Sequence, residues 1–140
     1  MWIVYAFLSA FTAALVAIFG KLGLKEIDTT LATSIRAVIM AGLLAAFSLT
    51  LGKFNNFSFS TLSSKEWIYI ALSGLAGAAS WLFYFFALKN GPAIQVAVID
   101  RLSIIFVMGL AAIFLGEVIG WRAALGGFLI VLGAVLVTLR

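Results

Sequence analysis

The sequence predicts an all-α polytopic membrane protein with five transmembrane helices. Three observations carry that expectation. Of 140 residues, 65% are hydrophobic and only 10% charged, and mean hydropathy is +1.24, whereas a water-soluble domain keeps far more polar surface to be wetted. The apolar residues arrive in long blocks with the few charges collected between them, as a hydrocarbon core demands of spanning helices. The strict polar–apolar alternation of a membrane β-barrel strand does not occur.

The first span covers residues 2–21 and closes at Lys21. No Lys or Arg precedes it and its apolar run is longer than a signal-peptide core, so although SAFTA (9–13) offers small residues, a retained helix is the better reading. The second span is 30–51, interrupted only by Arg36. A polar stretch, GKFNNFSFSTLSSKE (52–66), separates it from the third, 67–88. Phe54, Phe57 and Phe59 among those polar residues suggest a segment lying at the interface. KNGP (89–92) ends the third span, and Pro92 is suited to open the fourth, 93–115. After GEVIG comes the fifth, 121–139. At about 1.5 Å rise per residue, each is long enough to cross a core of about 30 Å. Together they make a single transmembrane domain over residues 1–140.

An odd number of spans puts the termini on opposite sides. One side would carry Lys21, Lys25, Lys89 and Arg140, the other Lys53, Lys65 and Arg122. The positive-inside rule then places the amino terminus outside, but by a small margin. So weak a bias suits a chain that inserts both ways.

The sequence AVIDRLSIIF (97–106) sets Asp100 and Arg101 inside an apolar span. They lie roughly 12 Å below the surface where the chain enters, not far short of the midplane. Arg36 lies at a similar depth from the same side. Each such charge costs at least about 2.5–3.5 kcal/mol at a helix centre, so the three should face one another or water. Asp100 and Arg101 are neighbours on one helix and pair poorly with each other. Arg36 with Asp100 across helices is the expected pair, with Arg101 left as the spare cation. A structural clamp, or arginines reaching back to the headgroups, is the plainer explanation. The sharper one is a polar cavity open to substrate.

Three spans carry stripes at helical spacing: Tyr5, Ser9, Thr12 and Val16; Thr29, Thr33, Arg36 and Met40; and Ser73, Gly77, Trp81, Tyr84 and Leu88. For Ser73–Gly77 and Gly74–Ala78, close helix packing is the preferred reading, and hydroxyls can bond their own helix backbone. Trp81 lies deeper than an interfacial belt, so Trp81 and Tyr84 are candidates for lining a cavity. In the fifth span, Gly126, Gly127, Gly133 and Ala134 suggest a packing or dimerising helix. Glu117 sits where a turn or a local pair with Arg122 explains it.

The chain has neither cysteine nor histidine. A disulfide framework, a Cys/His zinc site, the HExxH of zinc peptidases and the histidine base of a rhomboid-type protease are therefore out of reach. No metal, no cofactor and no enzymatic activity are expected. The net charge of +4 is scattered without a basic run, which points to lipid headgroups and not to nucleic acid.

The runs GKLGLKEIDTTLATSIRAVIM (20–40), GLAGAASWLFYFFALKNGPAIQVAVIDRLS (74–103) and FLGEVIGWRAALGGFLIVLGAVLVTL (114–139) resemble an EamA domain of the drug/metabolite transporter superfamily. The resemblance rests on a Lys ending the first span, an Asp before the second and an Arg within it. The ALKNGPA junction, a GE closing the fourth span and a glycine-rich fifth complete it. DRLS stands where many longer members have an uncharged, proline-containing segment, so their residue roles carry over poorly there.

That resemblance implies a secondary transporter of the inner membrane, probing toward export of small metabolites, amino-acid-like or drug-like. Typical members carry two such repeats in inverted topology, whereas this chain has one. Alternating access needs a second wall, so the resemblance implies an antiparallel homodimer. Its substrate path would be lined by Arg36, Asp100 and Arg101, an aromatic wall of Trp81 and Tyr84, and Ser9 and Thr12 of the first span. A carboxylate held by an arginine suits gating better than proton carriage. The alternative is a non-transporting membrane subunit that assembles with or stabilises another protein.

Overall fold

The computed structural model describes residues 1–55, 57–58 and 62–139. Phe59 of the interfacial stretch and Arg140 of the charge count lie outside the described residues. The protein is all-helical, with no strand among the described residues. Its elements are α1 (Trp2–Gly23), α2 (Thr29–Thr50), α3 (Ser64–Asn90), α4 (Ala93–Asp100), α5 (Ser103–Leu110), a π-helical turn (Ala111–Leu115) and α6 (Trp121–Thr138). Counting Ala93–Leu115 as one, five helical segments among the described residues are long and apolar enough to cross a membrane.

Helix ends follow local chemistry. Asp28 caps α2 by accepting from the Leu31 N–H at 3.0 Å, as N-cap aspartates do. At the other end Gly52 turns left-handed at φ 64°. Its N–H donates to the Leu49 carbonyl and that of Lys53 to the Ser48 carbonyl. These two bonds make a Schellman closure, and glycine adopts its left-handed residue without strain. α3 begins earlier than its apolar run because Ser63 and Glu66 form a capping box. The Ser63 N–H and hydroxyl donate to Glu66 Oε2 at 2.7 and 2.9 Å. At 27 residues, α3 is about 40 Å long and overshoots a core of about 30 Å.

The fourth span is where the structure departs from a single helix. After Asp100 the backbone tightens. The N–H of Arg101 donates to the Val98 carbonyl and that of Leu102 to Ile99, and Ile104 and Ile105 likewise bond three residues back. This is a 3₁₀-type link between α4 and α5. The span then widens into the π turn and stops at Gly116, φ 67°, where the Glu117 N–H reaches the Ala111 carbonyl at 3.3 Å. Glu117 is thus part of a turn, while the Arg122 guanidinium lies 5.6 Å from the Trp121 ring.

The chain divides into two units, residues Leu22–Lys89 and residues Met1–Lys21 with Asn90–Arg140. In the first, the buried side chains are Leu24, Thr29, Phe85 and Leu88, all where α2 starts and α3 ends. The Lys89 ammonium donates to the Ile27 carbonyl at 2.7 Å. In the second unit α6 packs against α4. Gly127 meets α5 so closely that a Cβ there would stand 3.1 Å from Ile105 Cδ1 and 3.2 Å from Met108 Sδ. The expectation of close packing at α6 thus holds at Gly127, whereas the space over Gly126 and Gly133 is open. Lys21 donates to the Gly91 carbonyl at 2.9 Å. Phe7, Phe47, Phe83, Phe106, Phe114 and Phe128 are exposed, which water would penalise and acyl chains accept.

Candidate functional site

α2 and α3 flank a groove of ≈ 650 Å³. From α2 it receives Thr33, Ser34, Arg36, Met40 and Leu44, and from α3 Gly74, Ala78, Trp81 and Leu82. The volume falls within the range of about 300–1,000 Å³ typical of small-molecule sites. Thr33, Arg36 and Met40 share one face of α2 by their three- and four-residue spacing, so the second of the sequence stripes is a groove wall. On α3 the outcome differs from the packing expectation. Gly74 and Ala78 line the groove, and no atom from another element approaches within 4 Å of a Cβ built at Gly74 or Gly77. The small residues here open space between two helices where they were expected to close it.

Among the described residues, Arg36 is the only charged one on the wall. Its guanidinium carbon stands 3.7 Å from the Trp81 ring centroid and 5.0 Å from that of Phe85. Trp81 and Phe85 stack at 5.8 Å with an interplanar angle of 26°. Tyr84 stands edge-on to Trp81 at 5.8 Å and to Phe85 at 5.9 Å. It supports the ring cluster and is not among the groove's lining residues. A cation over an aromatic face is attracted by the ring quadrupole, with about 2 kcal/mol or more available when water is excluded. Two of the wall's three hydroxyls are engaged, Thr33 donating to the Thr29 carbonyl at 2.7 Å and Ser34 to that of Thr30 at 2.9 Å, while Thr30 lines the groove as well. Among the described residues of this unit, no group accepts a hydrogen bond from the Arg36 guanidinium.

Asp100 and Arg101 belong to the other unit, where both are exposed. Asp100 is the last residue of α4, and Arg101 occupies the 3₁₀ link at φ −67°, ψ −13°. α4 is eight residues long, so the break lies about 12 Å along the span, close to mid-membrane. On α1, Ser9 and Thr12 are exposed. The Thr12 hydroxyl donates to the carbonyls of Leu8 at 2.9 Å and Ser9 at 3.0 Å, so it is spent on its own helix. The structure thus brings Arg36, Trp81 and Tyr84 into one cluster. It places Asp100 and Arg101 at a helix break, and Ser9 and Thr12 along α1.

Phe85 is the residue that sequence reasoning passed over. It lies four residues after Trp81, on the same helical face, but the sequence reading followed the polar tip of Tyr84 instead. The helix break had a signal as well. A charge pair within an apolar run is a place where a span can depart from regular helix, and the pair was read only for its charge.

A straight α2 carrying one arginine, a small-then-aromatic α3, and a fourth span broken at an Asp-Arg pair are set in order along residues 1–139, all of which match one family, described as the EamA-like transporter family. The chain belongs to the EamA-like transporter family. Among its relatives is a protein of a Sinorhizobium species, described as an uncharacterized transporter in the cobO 3′ region, 42% identical over 135 residues. That match covers 96% of this chain and 94% of the relative. No solved structure matches. As an EamA-family member with five apolar helical segments, the chain is a multi-pass membrane protein of a transporter family.

Proposed function

We propose that this EamA protein is a secondary transporter of the inner membrane that exports small amino-acid-like or drug-like metabolites. It works by alternating access as an antiparallel homodimer. The observation that carries the reading is the α2–α3 groove, ≈ 650 Å³ in volume with one guanidinium on an otherwise uncharged wall. A structural clamp needs no cavity beside it, and a cargo site does. In this reading Arg36 and Trp81 hold the cargo, with Tyr84 bracing the Trp81 ring from outside the groove. Asp100 and Arg101 lie at a break in a spanning helix, where transporter helices are commonly interrupted around their sites. Ser9 and Thr12 offer backbone and hydroxyl oxygens along α1.

The antiparallel dimer draws support from the near-even distribution of Lys and Arg between the two sides. Alternating access also needs a second repeat to rock against. The relative's description as a transporter supports the activity.

Two measurements test this. Purified protein in liposomes should accumulate or release small metabolites from a mixture, with Arg36→Leu abolishing the flux. No flux for any class of solute would favour the non-transporting subunit. The absence of cysteine permits single cysteines at Asn55 and at the carboxyl terminus. With both orientations present, a membrane-impermeant thiol reagent labels about half of each on intact cells. Labelling at one site alone would rule out the antiparallel arrangement.

A further inference from the structure

Resting on the transport reading, and narrowing its cargo to the drug-like acids at the expense of the amino-acid-like solutes, we propose that the α2–α3 groove selects monoanionic carboxylates with an apolar, preferably aromatic, body and rejects the matching amines, amides and amino acids. Its wall has one cation, Arg36, and no carboxylate. A ligand ammonium would therefore lose its water and meet a like charge with only neutral hydroxyl oxygens to compensate, which is costly. The hydroxyls of Thr33 and Ser34 donate to their own helix, so beside the neutral Thr30 hydroxyl and the Trp81 indole N–H the guanidinium is the wall's charged donor group. What remains of the surface is hydrocarbon and indole, from Met40, Leu44, Trp81 and Leu82. One donor set and an apolar trough complement a molecule with one carboxylate and an apolar tail.

The ring cluster gives that donor set a direction. With its carbon 3.7 Å from the Trp81 centroid and 5.0 Å from that of Phe85, the guanidinium has one face against aromatic carbon. A guanidinium's N–H bonds lie in its own plane, so stacking leaves the edges to form a two-pronged bond with a carboxylate. Trp81 thus acts as a positioning residue for Arg36 as well as a wall for the ligand's body. Lysine, a compact point charge without a planar fork, cannot reproduce this arrangement.

The test uses the full chain in phosphatidylcholine nanodiscs and four probes on one carbon skeleton: 3-phenylpropionate, 3-phenylpropionamide, 3-phenylpropylamine and phenylalanine. Binding is read by calorimetry. The carboxylate should bind about 10- to 100-fold more tightly than each of the other three, the span given by a charge-assisted bond made or lost. Arg36→Gln should erase the preference, Arg36→Lys should restore only part of it, and Trp81→Leu should weaken carboxylate binding severalfold more than amide binding. Equal binding of amide and carboxylate by the unmodified chain overturns the proposal, whatever the variants do. So does a preference for the amine or for phenylalanine. Nanodiscs containing phosphatidylglycerol separate two sources of anion: loss of carboxylate binding there would assign the groove to an anionic lipid headgroup and overturn a soluble cargo. Flux in liposomes is measured independently. Transport of a zwitterion would sink the selectivity and leave the transporter reading intact, whereas carboxylate binding without flux would do the reverse.

Discussion

α2 and α3 handle an intramembrane charge in one way, and the α4–α5 segment handles its charges in another. On α2 the helix stays regular and Arg36 is covered by the faces of Trp81 and Phe85. At Asp100 and Arg101 no ring among the described residues of the same unit stacks on the charge, and the backbone departs from α-helix, passing through a 3₁₀ link and later a π turn. An arginine can be accommodated by aromatic carbon without disturbing its own hydrogen bonds. An adjacent acid and base inside one span sit where the helix itself changes pitch, and tightened or widened turns often mark functional hinges. The first arrangement suits recognition and the second suits motion.

The sharpest way to break this comparison is Trp81→Ala. Losing a half-buried indole together with its contact to Arg36 should cost about 3 kcal/mol in detergent unfolding. In the background of Arg36→Leu the same change should cost less, and a double-mutant cycle reads the difference. Next in size, Gly127→Leu should cost about 2 kcal/mol, because a side chain there overlaps Ile105 and Met108. Gly126→Ala, with open space over its Cα, should be tolerated in the same assay. Lys89→Met removes one bond to the Ile27 carbonyl and should lower stability by about 1 kcal/mol. Replacing Asp100 and Arg101 together by alanine should leave stability within about 0.5 kcal/mol, yet reduce flux in liposomes severalfold. Unchanged flux would remove the distinction between a recognising and a moving segment. Thr12→Val should have the smallest effect, about 0.3 kcal/mol or less, since that hydroxyl bonds only its own helix.

These expectations rest on features that were unequally visible in the sequence. The five spans were legible because twenty-odd apolar residues in a row have few other uses, and their ends shifted only where caps extend them, as Ser63 and Glu66 do for α3. The Thr33–Arg36–Met40 face was legible from spacing alone. Phe85 was not singled out, because a phenylalanine in an apolar helix has no polar atom to distinguish it from lipid-facing neighbours such as Phe83. Gly74 and Ala78 were read as close packing, since small residues in a span fit a tight interface and an open groove equally well. The 3₁₀ link and π turn were invisible: each is a choice of hydrogen-bond partner one residue away from the regular one, and composition does not encode it.

The stacking of Arg36 on Trp81 also has a bearing on how the protein is made. α2 reaches the membrane before α3 has left the ribosome, so its arginine first meets the lipid with no ring to cover it. At that moment the charge works against insertion by about 2.5–3.5 kcal/mol, a burden borne by the apolar residues of α2 alone. Arrival of α3 relieves it. Stable insertion of α2 should therefore depend on α3, and a ribosome stalled between the two helices would leave α2 free to slip back toward water.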